Sequence, residues 1–172
     1  MVLLEINLQD IQMAATFVFF ICIAWLLAEF KGMKDELKER LGLNNATIQL
    51  RLQAYERLTL FAERVALKNM VTRTSFSGLD VVDYQLALLE TIRTEYEYNV
   101  SQQIYVSKEM WRGIVNLKDQ NTYIINQVAA ILPSQAPAIE LSKRLLEYAA
   151  ASNAELSGIV LEALQFEAKK LF

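Results

Sequence analysis

The residues best able to do chemistry in this chain cluster at Glu95-Tyr96-Glu97-Tyr98-Asn99. Two carboxylates so close suggest an acid–base pair, but residues two apart on a helix point about 200° apart. Glu95 and Glu97 therefore cannot serve one site. The sharper reading is an acidic, aromatic contact patch formed by Glu95, Tyr98, Gln102, Tyr105 and Trp111. Tyrosines commonly pack the ring and keep the hydroxyl wet, so core-edge packing is the plainer account of the same residues.

Beyond that cluster the chemistry thins out. The chain has no histidine, which removes Ser-His-Asp triads, imidazole zinc sites, a proximal haem ligand and Glu-x-x-His di-iron bundles. The segment Thr74-Ser75-Phe76-Ser77-Gly78 lacks the second glycine and the lysine of a phosphate loop. The single cysteine, Cys22, lies inside an apolar run, so the chain forms no internal disulfide. No catalytic residue, metal site or cofactor is expected, and the protein reads as a non-enzyme. From Lys31 onward 17 acids face 17 bases. Nucleic-acid binders carry a basic surplus or patch, so nucleic acid is not an expected partner.

What must position any contact patch begins with the run Ile11 to Ala28, eighteen residues without a charge. At about 1.5 Å per residue it just reaches across a hydrocarbon core of roughly 30 Å. A helix satisfies its own backbone groups there. Residues 11–30 are expected to form one transmembrane helix, marked by Ile11, Phe17, Phe20, Trp25 and Ala28. A basic n-region and an A-x-A pattern are both missing, so the segment is expected to stay in the mature protein. Within it Ala24 and Ala28, and Gln12 and Thr16, lie four apart, a spacing used for close helix packing in membranes. Ordinary composition explains these pairs more simply. Basic residues appear only after the run, at Lys31, Lys34, Lys38 and Arg40. They set the topology: residues 1–10 form a short extracytoplasmic tail, and the bulk of the chain is cytoplasmic.

Five glycines and two prolines in 172 residues argue for long helices. Residues 31–45 read as a charged, solvated juxtamembrane connector, with Gly42 as a C-cap and Asn44 or Asn45 as the next N-cap. Residues 46–172 form a mostly antiparallel bundle of about four helices, so the fold class is all-α. The first helix, about Ala46 to Val71, carries Ile48, Leu52, Tyr55, Leu58, Ala62 and Val65 on one stripe. A second set (Leu50, Leu60, Phe61 and Leu67) widens its buried arc. A loop at 72–78 precedes a helix capped by Asp80 or Ser77, with Val81, Tyr84, Leu88 and Ile92 on its face. Gln102 to Val106 has the composition of an extended segment. Ser107 then N-caps a helix carrying Met110, Ile114, Leu117, Ile124, Ile125 and Val128, and Pro133 ends it. Its buried face is interrupted by Asn121 and Asn126, and a buried Asn can fix register. One long helix follows, about Ala138 to Leu171, with a stripe including Ile139, Leu145, Leu146, Ile159, Val160 and Leu164. Its small-residue stretch, residues 149–154, leaves room for close approach, and Ser157-Gly158 offers a bend.

The stretch Leu52-Gln53-Ala54-Tyr55-Glu56-Arg57-Leu58-Thr59-Leu60-Phe61, the run Ile92 to Ser107 and Trp111 together resemble a group of uncharacterised single-span proteins of Bacteroidota. The resemblance covers most of the soluble part and the anchor. It implies a bacterial inner-membrane protein and supplies no activity. Two functional readings follow. The first is a membrane-anchored helical subunit or scaffold that docks on protein partners, as part of an inner-membrane complex or with copies of itself. The second is a membrane-tethered signalling or small-ligand-sensing bundle. Expected partners are membrane lipids and proteins.

Overall fold

A computed structural model describes residues 8–151 and 156–171, with the side chains of residues 8–15, 24 and 43 outside that description. The first seven residues of the expected tail, the side chains of Ile11, Gln12 and Ala24, and residues 152–154 of the small-residue stretch lie beyond it. Two compact units divide at Thr47 and Ile48.

The first helix, α1, spans Leu8–Val65 without interruption. The expected break at Gly42 and Asn44–Asn45 does not occur. A solvated glycine costs a helix only about 1 kcal/mol, and the Lys, Glu, Leu and Arg residues before it are strong helix formers. Glu36 and Arg40 add an i,i+4 pair at 2.7 Å. In the first unit Phe17, Val18, Phe19, Phe20 and Ile21 are all between 59% and 70% exposed. These five are consecutive, so the apolar surface passes right round the helix.

In the second unit α1 ends at Val65, where the sequence suggested a helix running on to Val71. Ala66 turns extended (φ −51°, ψ 127°) and α2, Leu67–Arg73, sets off anew. A helix end leaves four carbonyls without their own partners, and all four are satisfied here. Ala62 O accepts from Ala66 N at 3.1 Å. Glu63 O accepts from Asn69 Nδ2 at 2.9 Å and Arg64 O from an Arg73 guanidinium nitrogen at 2.9 Å. Val65 O accepts from the buried Asn121 Nδ2 at 2.7 Å. The elbow is therefore held by side chains from two helices.

After a turn in which Gly78 takes φ 77°, Asp80 caps α3, Val81–Asn99, accepting from Asp83 N at 2.9 Å. Gln102 to Val106 is not extended: Val100–Ile104 forms a 3-10 turn. β-branched residues favour strands only where a sheet exists to receive them, and the described residues contain none. Ser107 caps α4, Lys108–Ala130, accepting from Met110 N at 3.0 Å. The expected long last helix is helical on both sides of residues 152–155, as α5, Ala138–Ala151, and α6, Leu156–Lys169. Among the described residues the second unit holds the end of α1, five further α-helical stretches and the 3-10 turn, where the sequence suggested about four helices.

Helix α3 packs on α4, α2 and α3 on α5, and α4 on α6. The core gathers Leu58, Phe61, Tyr84, Leu88, Ile92, Ile114, Leu117, Ile125, Leu141 and Leu145, each 0–1% exposed. Burying each such side chain contributes about 1.5–3 kcal/mol. The widened arc expected of α1 is only partly buried: Phe61 and Leu67 are inside, whereas Leu50 and Leu60 are 45% and 51% exposed. Of the stripe expected of the last helix, Leu145, Val160 and Leu164 are buried together with Leu141, whereas Ile139, Leu146 and Ile159 face out. Two backbone bonds, Val81 N to Ala136 O (3.0 Å) and Ala138 N to Leu79 O (3.1 Å), tie the loops before α3 and α5 together.

Candidate functional site

The second unit carries a groove of ≈ 320 Å³ between the end of α1 and α3. Arg57, Leu60 and Arg64 come from α1, at steps of three and four that place them on one face. Glu95, Tyr98 and Asn99 answer from the last turns of α3. The Arg64 guanidinium donates to both Glu95 oxygens, at 3.1 and 3.4 Å. Arg57 donates to the Tyr98 carbonyl at 2.8 Å and lies 4.6 Å above the Tyr98 ring. Asn99 is buried and its Nδ2 donates to Glu95 O at 2.8 Å.

These contacts fix what the groove can offer. Arg64 and Glu95 pair with each other and Arg57 is bound to a backbone carbonyl, so Glu95 is held as an ion-pair acceptor rather than aimed at a substrate. What faces outward is Leu60 and the Tyr98 ring, the latter 69% exposed and steadied by the guanidinium over it. A rigid tyrosine, an arginine and an apolar neighbour inside a polar rim are the composition of a protein contact centre. An exposed cation–π contact contributes about 0.5–1 kcal/mol, enough to bias the ring's position without burying it.

The five residues of the expected patch do not stay together. Glu95 and Tyr98 share the groove. Gln102 is buried and its Nε2 donates to Ser101 Oγ at 3.0 Å. Tyr105 is half-buried and its carbonyl accepts from Arg51 Nε at 3.2 Å. Trp111 lies against Tyr96 (ring centres 5.7 Å apart), and Tyr96 meets Phe61 edge-on at 6.4 Å. That aromatic ladder is core edge, the plainer account in this case. Arg57, Leu60 and Arg64 were not legible as site residues because they sit 31 to 41 positions away on another helix.

A second polar cluster is structural in kind. Glu167 of α6 accepts from Tyr55 Oη at 2.9 Å and from Ser107 Oγ at 2.5 Å. It thereby joins the start of α4 and the end of α1 through one carboxylate. Burial, and then the hydrogen bond to Glu167, pushes the Tyr55 hydroxyl above its usual pKa. Tyr84 is raised too, chiefly by burial, and its hydroxyl donates to Val71 O at 3.3 Å. Among the described residues no group of three or more His, Cys, Asp or Glu side chains could hold a metal ion.

In the first unit Phe17, Phe20 and Trp25 are 65–70% exposed and Ala28 is exposed as well. Among the described residues one helix, α1, is long and apolar enough to cross a membrane by length and composition, with a window of mean hydropathy 1.7 that is 0% buried. Lys31, Lys34, Lys38 and Arg40 are exposed beyond it, Arg40 engaged with Glu36. A family model, that of a family of unknown function (DUF7935), matches residues 3–171. No curated protein matches the chain, and no solved structure does.

Proposed function

The chain belongs to that family, and we propose that it works as a non-enzymatic, membrane-anchored helical subunit that docks on protein partners. The observation that carries this reading is the exposed apolar belt of α1. Five consecutive large side chains, Phe17 to Ile21, lie more than half exposed on every side of the helix. In water such a belt loses about 25 cal/mol for each Å² left wet, and monomeric soluble proteins rarely expose contiguous patches of this kind. Lipid removes the cost. The four basic residues just beyond the belt favour a cytoplasmic bundle and an outward N-terminus, in the inner membrane of a bacterium of the Bacteroidota kind that the sequence resembles.

The Arg57–Tyr98 groove is the proposed contact centre of the bundle. A ligand-sensing bundle needs convergent polar groups free to meet a small molecule, whereas Arg64, Glu95, Arg57 and Asn99 engage one another or the backbone. That difference favours docking. The test is gentle detergent extraction of membranes, followed by size measurement and mass spectrometry of co-purifying chains. The expected result is membrane-bound protein recovered in a complex larger than one chain. Protein free in the soluble fraction, or a lone monomer under mild extraction, would overturn the reading.

A further inference from the structure

We infer that the charged collar of α1, residues 30–44, pairs side by side and in parallel with the same collar of a second copy of this chain. The inference rests on the docking reading above and names one of its partners. Phe30, Met33, Leu37 and Leu41 follow one another at steps of three, four and four residues, and are 65%, 60%, 58% and 53% exposed. At about 100° per residue they fall on a single stripe, and Asn44 continues it. Asp35 and Glu39 occupy the opposite face. The belt at Phe17–Ile21 is apolar all round and suits lipid. The collar is apolar on one side only, the width that one neighbouring helix covers.

Charge selects the occupant. The same helical geometry puts Lys34 and Lys38 on one flank of the stripe, and Glu29 and Glu36 on the other. Arg40, also on the acidic flank, is already drawn onto Glu36 at 2.7 Å. In a parallel pair each flank meets the other helix's opposite flank, so lysines face glutamates on both sides of the seam. An antiparallel pair would set lysines against lysines. A helix lying on an anionic lipid surface would want basic residues along both flanks, and here one flank is acidic. Asn44 in the seam is the kind of polar residue that fixes register between two strands. A seam this short is marginal for chains free in solution, but confinement to one membrane supplies the effective concentration it needs.

The experiment uses the full chain in its membrane, with Cys22→Ser removing its only thiol. Single cysteines replace Met33, Leu37 or Leu41 on the stripe, and Asp35 or Glu39 on the opposite face. After mild copper-catalysed oxidation, each stripe position is expected to give roughly five-fold more disulfide dimer than either back-face position, because only there do two thiol-bearing carbons come within bonding reach. All three must cross-link, since in a parallel pair every position faces its own counterpart. Lys34→Glu in the Leu37→Cys background should cut the yield several-fold, and adding Glu29→Lys should restore it. Equal yields around the helix, a yield at one stripe position only, or background throughout would each overturn the pairing. If background is accompanied by stripe thiols shielded from an aqueous maleimide, lipid is the occupant instead. A complex with a different protein on mild extraction, without collar cross-links, sinks the pairing and leaves docking standing; a lone monomer sinks both.

Discussion

Two stretches of α1 have the same secondary structure and opposite fates. Between Phe17 and Phe30 the large apolar side chains other than the half-buried Ile23 are 59–70% exposed, whereas Tyr55, Leu58, Phe61, Ala62 and Val65 are at most 3% exposed. Apolar content alone does not separate them. What does is the placement of charge: Glu56, Arg57, Glu63 and Arg64 punctuate the second stretch and leave it one dry face. Ile11 to Ala28 carries no such punctuation. A one-sided stripe calls for a protein core, and an all-round belt calls for a solvent other than water.

The sharpest way to break that contrast is to truncate one phenylalanine in each stretch. Phe61→Ala should destabilise the bundle by about 3–5 kcal/mol, through lost burial and the cavity left behind. Phe20→Ala should leave bundle stability unchanged. Urea melts followed by Trp111 fluorescence in a Trp25→Phe background read both, and equal losses would erase the distinction between the two regions.

Next in size is the elbow that ends the buried stretch. Asn121→Leu strands the Val65 carbonyl in the core, at a cost of about 1–3 kcal/mol. The same melt measures it, and a neutral result would mean that the elbow does not depend on the amide.

A smaller effect is confined to alkaline pH and to the buried side of the comparison. Burial holds the Tyr55 and Tyr84 hydroxyls above their ordinary pKa, so the folded chain keeps those protons longer than the unfolded one. Their contribution is whole below the unfolded tyrosine value near 10.0 and is lost as pH climbs through the folded values. Melting temperature should therefore fall with pH above about 10, and Tyr55→Phe with Tyr84→Phe should flatten that fall. An unchanged slope in the double variant would remove the tyrosines from the account.

The least change is expected at the groove. Arg64 is about half exposed, with Glu95 at 17%, and such a pair contributes roughly 0–1 kcal/mol to folding. A double-mutant cycle with Arg64→Ala and Glu95→Ala should return a coupling in that range. A larger value would make the pair a pillar of the fold rather than part of a contact surface.

Where the sequence spoke clearly, the signal was local. Asp80 and Ser107 cap α3 and α4 because each oxygen reaches a backbone N–H three residues on, a relation contained in a short stretch of chain. The stripe of α3 was legible for the same reason. Gly42, Asn44 and Asn45 misled because a weak helix former in solvent lowers stability without ending a helix. The true end at Ala66 carries no breaker of its own. It is held by Asn121, 56 residues from the Val65 carbonyl it meets, together with Asn69 and Arg73. The groove was half legible: Glu95 and Tyr98 announced themselves, while their arginine partners depended on a packing of α1 against α3 that periodicity does not specify.

The Glu167 latch has a consequence for how the protein is made. Tyr55 must wait for a carboxylate synthesised 112 positions later. At about 5–20 residues per second that delay is roughly 6–22 s. Throughout it the dry side of the α1 end lacks its last cover, so the nascent chain has an interval in which chaperones, or a neighbouring copy emerging from the same message, can reach what the finished molecule hides.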